Sequence, residues 1–231
     1  MIEEPPLLTI RRPNRRPTAA QIEAFRGQPT SFVADAMWGV GAIPQIGPLG
    51  FGRDLDCVAV GPALTVDCGP GDLLALAASL EFIQPGDVVI SAFAGHQGCA
   101  QAGDRICGMM KNNGAIGFVT DGPMRDYDGL VAAGLPAWCA GLNPNSPVSQ
   151  GPGRIGLPIN LNGVQVETGD MIVADRDGVV VVPFAEIAEV AERLARVAEL
   201  ETALDEKVLA GQTRIDGAAA VVASDRTAFV D

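Results

Sequence analysis

The chain has 231 residues, 48% apolar and 19% charged, with 28 glycines, 17 prolines and a formal net charge of −12. Its length suffices for one domain with a full hydrophobic core, and its composition excludes a disordered chain. The acidic balance opposes binding to nucleic acid or anionic membranes, no apolar run is long enough to cross a bilayer, and the five dispersed cysteines make neither a disulfide framework nor a C-x-x-C zinc site, so a soluble cytoplasmic protein is expected.

In chain order, Arg11, Arg12, Arg15 and Arg16 lie around Pro13 and before Pro17, which predicts an extended arm that is solvated or contacts a neighbouring subunit. Helical patterning follows over 18–26 and 30–39, the second introduced by Pro29 and the candidate caps Thr30 and Ser31. Cys57 to Val66 reads as strands broken at Gly61-Pro62, and Gly69-Pro70-Gly71-Asp72 opens an apolar helix ending near Gln84. The tight turn Pro85-Gly86-Asp87 feeds a buried strand over 88–92. After the loop Gly95-His96-Gln97-Gly98 a helix runs to about Asn112, Asn113-Gly114 closes it, and Ile116 to Thr120 is again an apolar strand. A strand over 136–140 leads into a long Pro/Gly/Asn/Ser loop that ends at Gly156. Short strands at 157–161, 164–166, 171–174 and 179–182 are divided by Asn162-Gly163, Gly169-Asp170 and Asp177-Gly178, and 184–210 forms a long amphipathic helix. Strand–helix alternation followed by a meander predicts a layered α/β sandwich rather than a plain doubly wound sheet. One domain over 1–231 is expected, with an arm and helix over 1–28 and a helix and tail over 184–231.

Several chemistries are ruled out by what is missing. His96 is the single histidine, so a Ser-His-Asp or Cys-His apparatus would depend on it entirely, and no G-x-S-x-G elbow accompanies it. Lys111 and Lys207 are the two lysines; one ends a helix and the other sits in an acidic helical segment, so neither suits a Schiff base or pyridoxal phosphate. No Walker-type loop and no G-x-G-x-x-G after a strand is present.

What remains is Arg125-Asp126, immediately after the apolar strand Gly117-Phe118-Val119-Thr120. The carboxyl end of such a strand is where open α/β sheets place ligands. A carboxylate there can anchor a hard divalent ion such as Mg²⁺, while the neighbouring guanidinium pairs with substrate oxygens. Gly103-Asp104 can begin a helix proper and aim free N–H groups at an anion, which suits a carboxylate substrate. Asp121 and Asp128 flank the motif in turn-forming roles.

The run Gly114 to Asp126, containing Val119-Thr120-Asp121-Gly122-Pro123-Met124-Arg125-Asp126, resembles the V-x-D-G-x-x-R-D segment of the RraA-like family, which includes the 4-hydroxy-4-methyl-2-oxoglutarate/4-carboxy-4-hydroxy-2-oxoadipate aldolases. Gly69-Pro70-Gly71-Asp72, Gln84-Pro85-Gly86-Asp87-Val88, Gly141-Leu142-Asn143-Pro144 and the run Gly169-Asp170 through Pro183 resemble the family in the same order, over roughly residues 30–200. The resemblance implies a β/β/α sandwich of the swivelling-domain-like type and a class II, metal-dependent pyruvate aldolase that also decarboxylates oxaloacetate. It implies Mg²⁺ or Mn²⁺ held through Asp126, a 2-oxo acid substrate bound by Arg125 and by the backbone N–H groups of Gly103, Asp104, Arg105 and Ile106, and Asp104 acting on the C4 hydroxyl through a metal-held water. It also implies a homotrimer or dimer of trimers, in which family members can bring an acidic residue from a neighbouring subunit; Glu199 and Glu201 lie on the terminal helix and are not assigned that role. Leu73, where an Asn is common, and the 95–98 loop depart from the family pattern. The alternative is a non-catalytic regulator like the original RraA, a modulator of a ribonuclease, which lacks the metal aspartate that this chain keeps at Asp126.

Overall fold

The computed structural model describes residues 6–215 and 217–230, so the first five residues of the expected arm, Asp216 and Asp231 lie outside it. The strands are β1 (Leu8–Ile10), β2 (Gly47–Pro48), β3 (Ala59–Asp67), β4 (Val88–Ala92), β5 (Gly117–Thr120), β6 (Ala137–Cys139), β7 (Gly153–Ile155), β8 (Ile159–Leu161), β9 (Val164–Val166), β10 (Met171–Ala174) and β11 (Val179–Val182). The helices are α1 (Ala19–Phe25), α2 (Thr30–Ala36), α3 (Leu74–Ser79), α4 (Asp104–Asn112), α5 (Tyr127–Ala133), α6 (Ile187–Leu209) and α7 (Ala218–Val222).

The centre of the main sheet is parallel: β3 pairs with β4, β4 with β5 and β5 with β6. β4, β5 and β6 are buried along their whole length, the reason they read as unbroken apolar runs rather than alternating ones. Three crossovers in one direction lay α3, α4 and α5 on one face, and parallel pairing brings the carboxyl ends of β4, β5 and β6 to a common edge. The loops that leave those ends build the site described below.

β10 and β11 give the fold its second β layer. Ile172, Ala174, Val179 and Val181 face the main core, whereas Met171, Val173, Val180 and Val182 face a second core made with Phe25, Val33, Ile187, Val190 and Leu194 of α1, α2 and α6. Strict alternation on a two-stranded ribbon therefore serves two cores at once, as a pleat with side chains on opposite faces must. The architecture is the expected layered α/β sandwich with a long carboxyl-terminal helix.

Several details differ from the sequence reading. The 57–66 segment is not broken at Gly61-Pro62: β3 runs through, pairing with β10 up to Pro62 and with β4 from Ala63 onward. A Cβ on Gly61 would stand 2.3 Å from the Gly86 carbonyl oxygen, so this glycine permits a close backbone approach and makes no turn. Pro29, not Thr30 or Ser31, holds the N-cap of α2, and Asp175 satisfies the Thr30 N–H (2.8 Å) and hydroxyl (2.7 Å) from a distant loop. The helix expected from about residue 99 begins at Asp104. Finally, the arm folds back on its own chain: β1 pairs with β7, Arg15 bonds Glu167 (2.8 Å) and the Thr168 carbonyl (2.9 Å), and Arg16 pairs with the buried Asp87.

Candidate active site

Three loops are laced together at the carboxyl edge of the sheet. The Arg125 N–H bonds the Ala102 carbonyl (3.0 Å), the Gln101 N–H bonds the Pro123 carbonyl (2.8 Å) and the Met124 N–H bonds the Gly141 carbonyl (2.9 Å). Asp121 fixes a fourth loop, its carboxylate accepting from the Phe93 and Gly95 N–H groups, the latter at 2.7 Å. Burial pushes its carboxyl above the ordinary aspartate range, and the residue is an anchor between loops rather than the turn-former expected, its partners lying 28 and 26 positions away.

Beneath these loops lies a buried polar floor. The Gln101 amide donates to the Ser91 hydroxyl (2.6 Å) and its carbonyl accepts from the Thr120 hydroxyl, which in turn takes the Gly122 N–H (2.9 Å). Cys68 meets Ser91 at 3.7 Å, its thiol pushed up to about 11 by burial, so it is no thiolate nucleophile. Gln101, Ser91 and Thr120 are each at most 1% exposed. Among the described residues no buried side-chain nitrogen or oxygen lacks a partner.

The charged groups sit above this floor. Arg125, Asp126, Gly103, Asp104, Arg105 and Ile106 all line one open cavity of about 620 Å³. Asp126 occupies the N-cap of α5 with a left-handed backbone (φ 63°, ψ 49°), yet its side chain makes no capping bond. Its Oδ2 lies 3.4 Å from Arg125 Nε, and the two side chains are 47% and 36% exposed. A Cβ on Gly103 would stand 2.4 Å from that same Oδ2, so glycine is required for the carboxylate to reach this position. A second glycine does the same for the other acid: a Cβ on Gly129 of α5 would stand 2.6 Å from Asp104 Oδ2. Two carboxylates are thus seated in notches between α4 and α5.

The start of α4 supplies the expected donors in part. Gly103 is its N-cap, and the N–H groups of Asp104 and Ile106 have no acceptor within the helix. The Arg105 N–H is already taken by Asp104 Oδ1 at 2.7 Å. Of the residues singled out by sequence, His96 packs its ring against the edge of Phe93 at 5.4 Å and does not line the cavity, and Glu199 and Glu201 lie on α6 away from it. Lys111 bonds the Ala133 carbonyl (2.8 Å), tying the end of α4 to α5.

Several residues here escaped the sequence. Ser146 accepts from Arg125 Nη1, and its loop is strapped down by Asn143 to the Gln97 carbonyl (2.8 Å) and Asn145 to the Gly98 carbonyl (3.0 Å). Tyr127, next to Asp126, donates to Asp54 at 2.6 Å, 73 positions away. The only advance signal was the density of Asn, Ser and Pro in 143–150, which marks a structured loop without naming its partner.

A hard divalent cation fits this donor set. Asp126 offers a half-exposed carboxylate that spends no bond on its own helix, and Gly103 keeps its oxygen uncovered. Among the described residues no three His, Cys, Asp or Glu side chains converge, so Asp126 is the one carboxylate this fit rests on.

The family model for RraA-like proteins, described as Aldolase/RraA, matches residues 30–181. The chain belongs to this family. It is 39% identical over 163 residues, 70% of this chain and 76% of the other, to a Halalkalibacterium halodurans protein named "Putative 4-hydroxy-4-methyl-2-oxoglutarate aldolase". Among solved structures it is similar to an uncharacterized protein from Pseudomonas syringae (TM-score 0.74, 25% identity, covering 87% of this chain and 97% of that one). It is also similar to an unusual member of the RNase ES inhibitor RraA protein family from Streptomyces coelicolor (TM-score 0.70, 27% identity, 87% and 100% covered). Among the described residues no helix is long and apolar enough to cross a membrane.

Proposed function

We propose that this family member is a divalent-metal-dependent lyase that cleaves a 4-hydroxy-2-oxo acid to release pyruvate, and that it decarboxylates oxaloacetate through the same pyruvate enolate. The observation that carries this reading is Asp126: an N-cap aspartate that forgoes capping and turns its carboxylate beside Arg125 into an open cavity. Asp126 would hold Mg²⁺ or Mn²⁺, whose Lewis acidity polarises the 2-oxo group when the ion is bound.

The chain's own groups do the rest. The α4 N-terminus and the Arg125 guanidinium receive the substrate carboxylate, a planar fork being better matched than a lysine to two oxygens. Ser146 accepts from one terminal nitrogen of that guanidinium and so orients it. As the C3–C4 bond breaks, negative charge grows on the 2-oxo oxygen beside Arg125, a fixed cation that needs no reorganisation to meet it. Asp104 accepts the proton of the C4 hydroxyl, directly or through a water, after exchanging its contact with the Arg105 N–H for the substrate. We further propose a single domain in a homotrimer or dimer of trimers, supported by α6, which exposes Leu200, Leu204 and Val208 beyond the part its own chain covers.

Asp126→Asn is the test, because asparagine tolerates the left-handed backbone and removes only the charge. Pyruvate release from 4-hydroxy-4-methyl-2-oxoglutarate and from oxaloacetate should require Mg²⁺ or Mn²⁺, stop with EDTA and fall by at least about 100-fold in the variant. No turnover of either substrate with any divalent ion would instead favour the non-catalytic regulator, the reading to which the Streptomyces likeness points.

A further inference from the structure

Beyond the groups that handle a 2-oxo acid, the cavity carries a wall with no chemistry of its own: Leu73, Ile106, Met109 and Pro147. The wall is built rather than incidental. Leu73 and Ile106 are half-buried and pack on the main core. The Leu73 N–H bonds the Val148 carbonyl (2.8 Å) and the Val148 N–H bonds the Gly71 carbonyl (2.9 Å). Asp72, buried, takes the Gln150 and Gly151 N–H groups at 2.7 and 2.9 Å, so Leu73 and Pro147 are held to one another by a closed backbone lattice. Met109 is 49% exposed on α4, a flexible thioether able to fit variable shapes.

Ile106 and Met109 are three apart on α4 and share a face, with Met109 about 7.5 Å along the axis from Asp104 at the helix start. A 2-oxo acid seated by Arg125 and the α4 N-terminus has this wall within the same cavity to receive whatever hangs from C4. We infer that the chain selects 4-hydroxy-2-oxo acids whose C4 substituent is apolar, an alkyl or aryl group, over dicarboxylates of the 4-hydroxy-4-methyl-2-oxoglutarate kind. This rests on the lyase reading above. A cavity of about 620 Å³ leaves room for such a group beside the pyruvyl moiety.

A feature favouring a second carboxylate is Arg105, which also lines the cavity but is exposed. Magnitudes decide between them. An exposed ion pair is worth at most about fivefold, whereas each methylene buried on an apolar wall is worth about fourfold, so two or more outweigh it. The chemistry balances without an added reagent: the C3–C4 bond breaks with its electron pair going to C3, the hydroxyl proton leaves, a proton returns to C3, and the products are pyruvate and an apolar aldehyde or ketone.

The experiment compares kcat/KM for 4-hydroxy-4-phenyl-2-oxobutanoate and 4-hydroxy-4-methyl-2-oxoglutarate, with exchange of the pyruvate methyl protons for deuterium as a readout independent of C4. The native chain should favour the phenyl substrate at least tenfold, and Leu73→Asn or, on the exposed helix face, Met109→Gln should cut that ratio by fivefold or more. Proton exchange with a preference for the dicarboxylate, or a ratio that neither variant moves, overturns the inference and leaves the lyase reading standing. No exchange and no cleavage overturns both.

Discussion

The floor and the rim of the cavity are built to opposite rules. Ser91, Gln101 and Thr120 are buried, uncharged and mutually bonded, each hydrogen bond having no water to replace it. Arg125, Asp126 and Asp104 are charged and reachable, and their mutual contacts are weak ones that a ligand can displace: a 3.4 Å ion pair with both partners well exposed is worth little in water. The difference teaches where precision comes from. The rim groups are aimed by the backbone lacing above a rigid floor and by two glycine notches, not by the strength of their own bonds.

The sharpest way to break the contrast is to cut the floor. Gln101→Leu should leave the Ser91 and Thr120 hydroxyls short of partners and cost about 3 kcal/mol of stability, seen as a lower urea midpoint with unchanged slope. Gly103→Ala should do the reverse, lowering kcat/KM about 100-fold, or about 2.7 kcal/mol, while changing stability by less than about 1 kcal/mol, since the half-exposed Asp126 can swing aside. A midpoint shift as large as that of Gln101→Leu would show that rim and floor are one unit.

Smaller still is the effect of pH on the anchors. Burial raises the carboxyls of Asp87, Asp121 and Asp170 above their ordinary value. Between that ordinary value and each raised one the native chain binds more protons than the unfolded chain, so this contribution to stability is fully present below the unfolded pKa and is lost as pH rises through the folded one. Urea midpoints should therefore gain from these carboxyls as pH is lowered from neutrality toward the ordinary aspartate range, and Asp121→Asn should reduce that gain; an Asp121→Asn chain with an unchanged pH dependence would contradict it.

Much of this was legible in the sequence because it was local. β4, β5 and β6 announced themselves as apolar runs and Arg125-Asp126 stood just after one of them, whereas the full 103–106 set came from the family resemblance. What was hidden depends on distance. β1 and β7 are three-residue strands that exist by pairing with each other, and Ser146, Asp54 and Gln101 owe their roles to partners 10 to 73 positions away. α5 was missed for a different reason. Gly129 interrupts its helical pattern at a propensity cost of about 1 kcal/mol, and only the packing of Asp104 over that glycine explains why it is there.

The left-handed backbone at Asp126 has an evolutionary consequence. Few residues are comfortable at φ 63°, chiefly Gly, Asn and Asp, and a single base change turns an aspartate codon into one for either of the others. On the proposed metal role of Asp126, the position offers a one-step exit from that role that leaves the scaffold intact, so within such a lineage chains with and without it can lie one nucleotide apart.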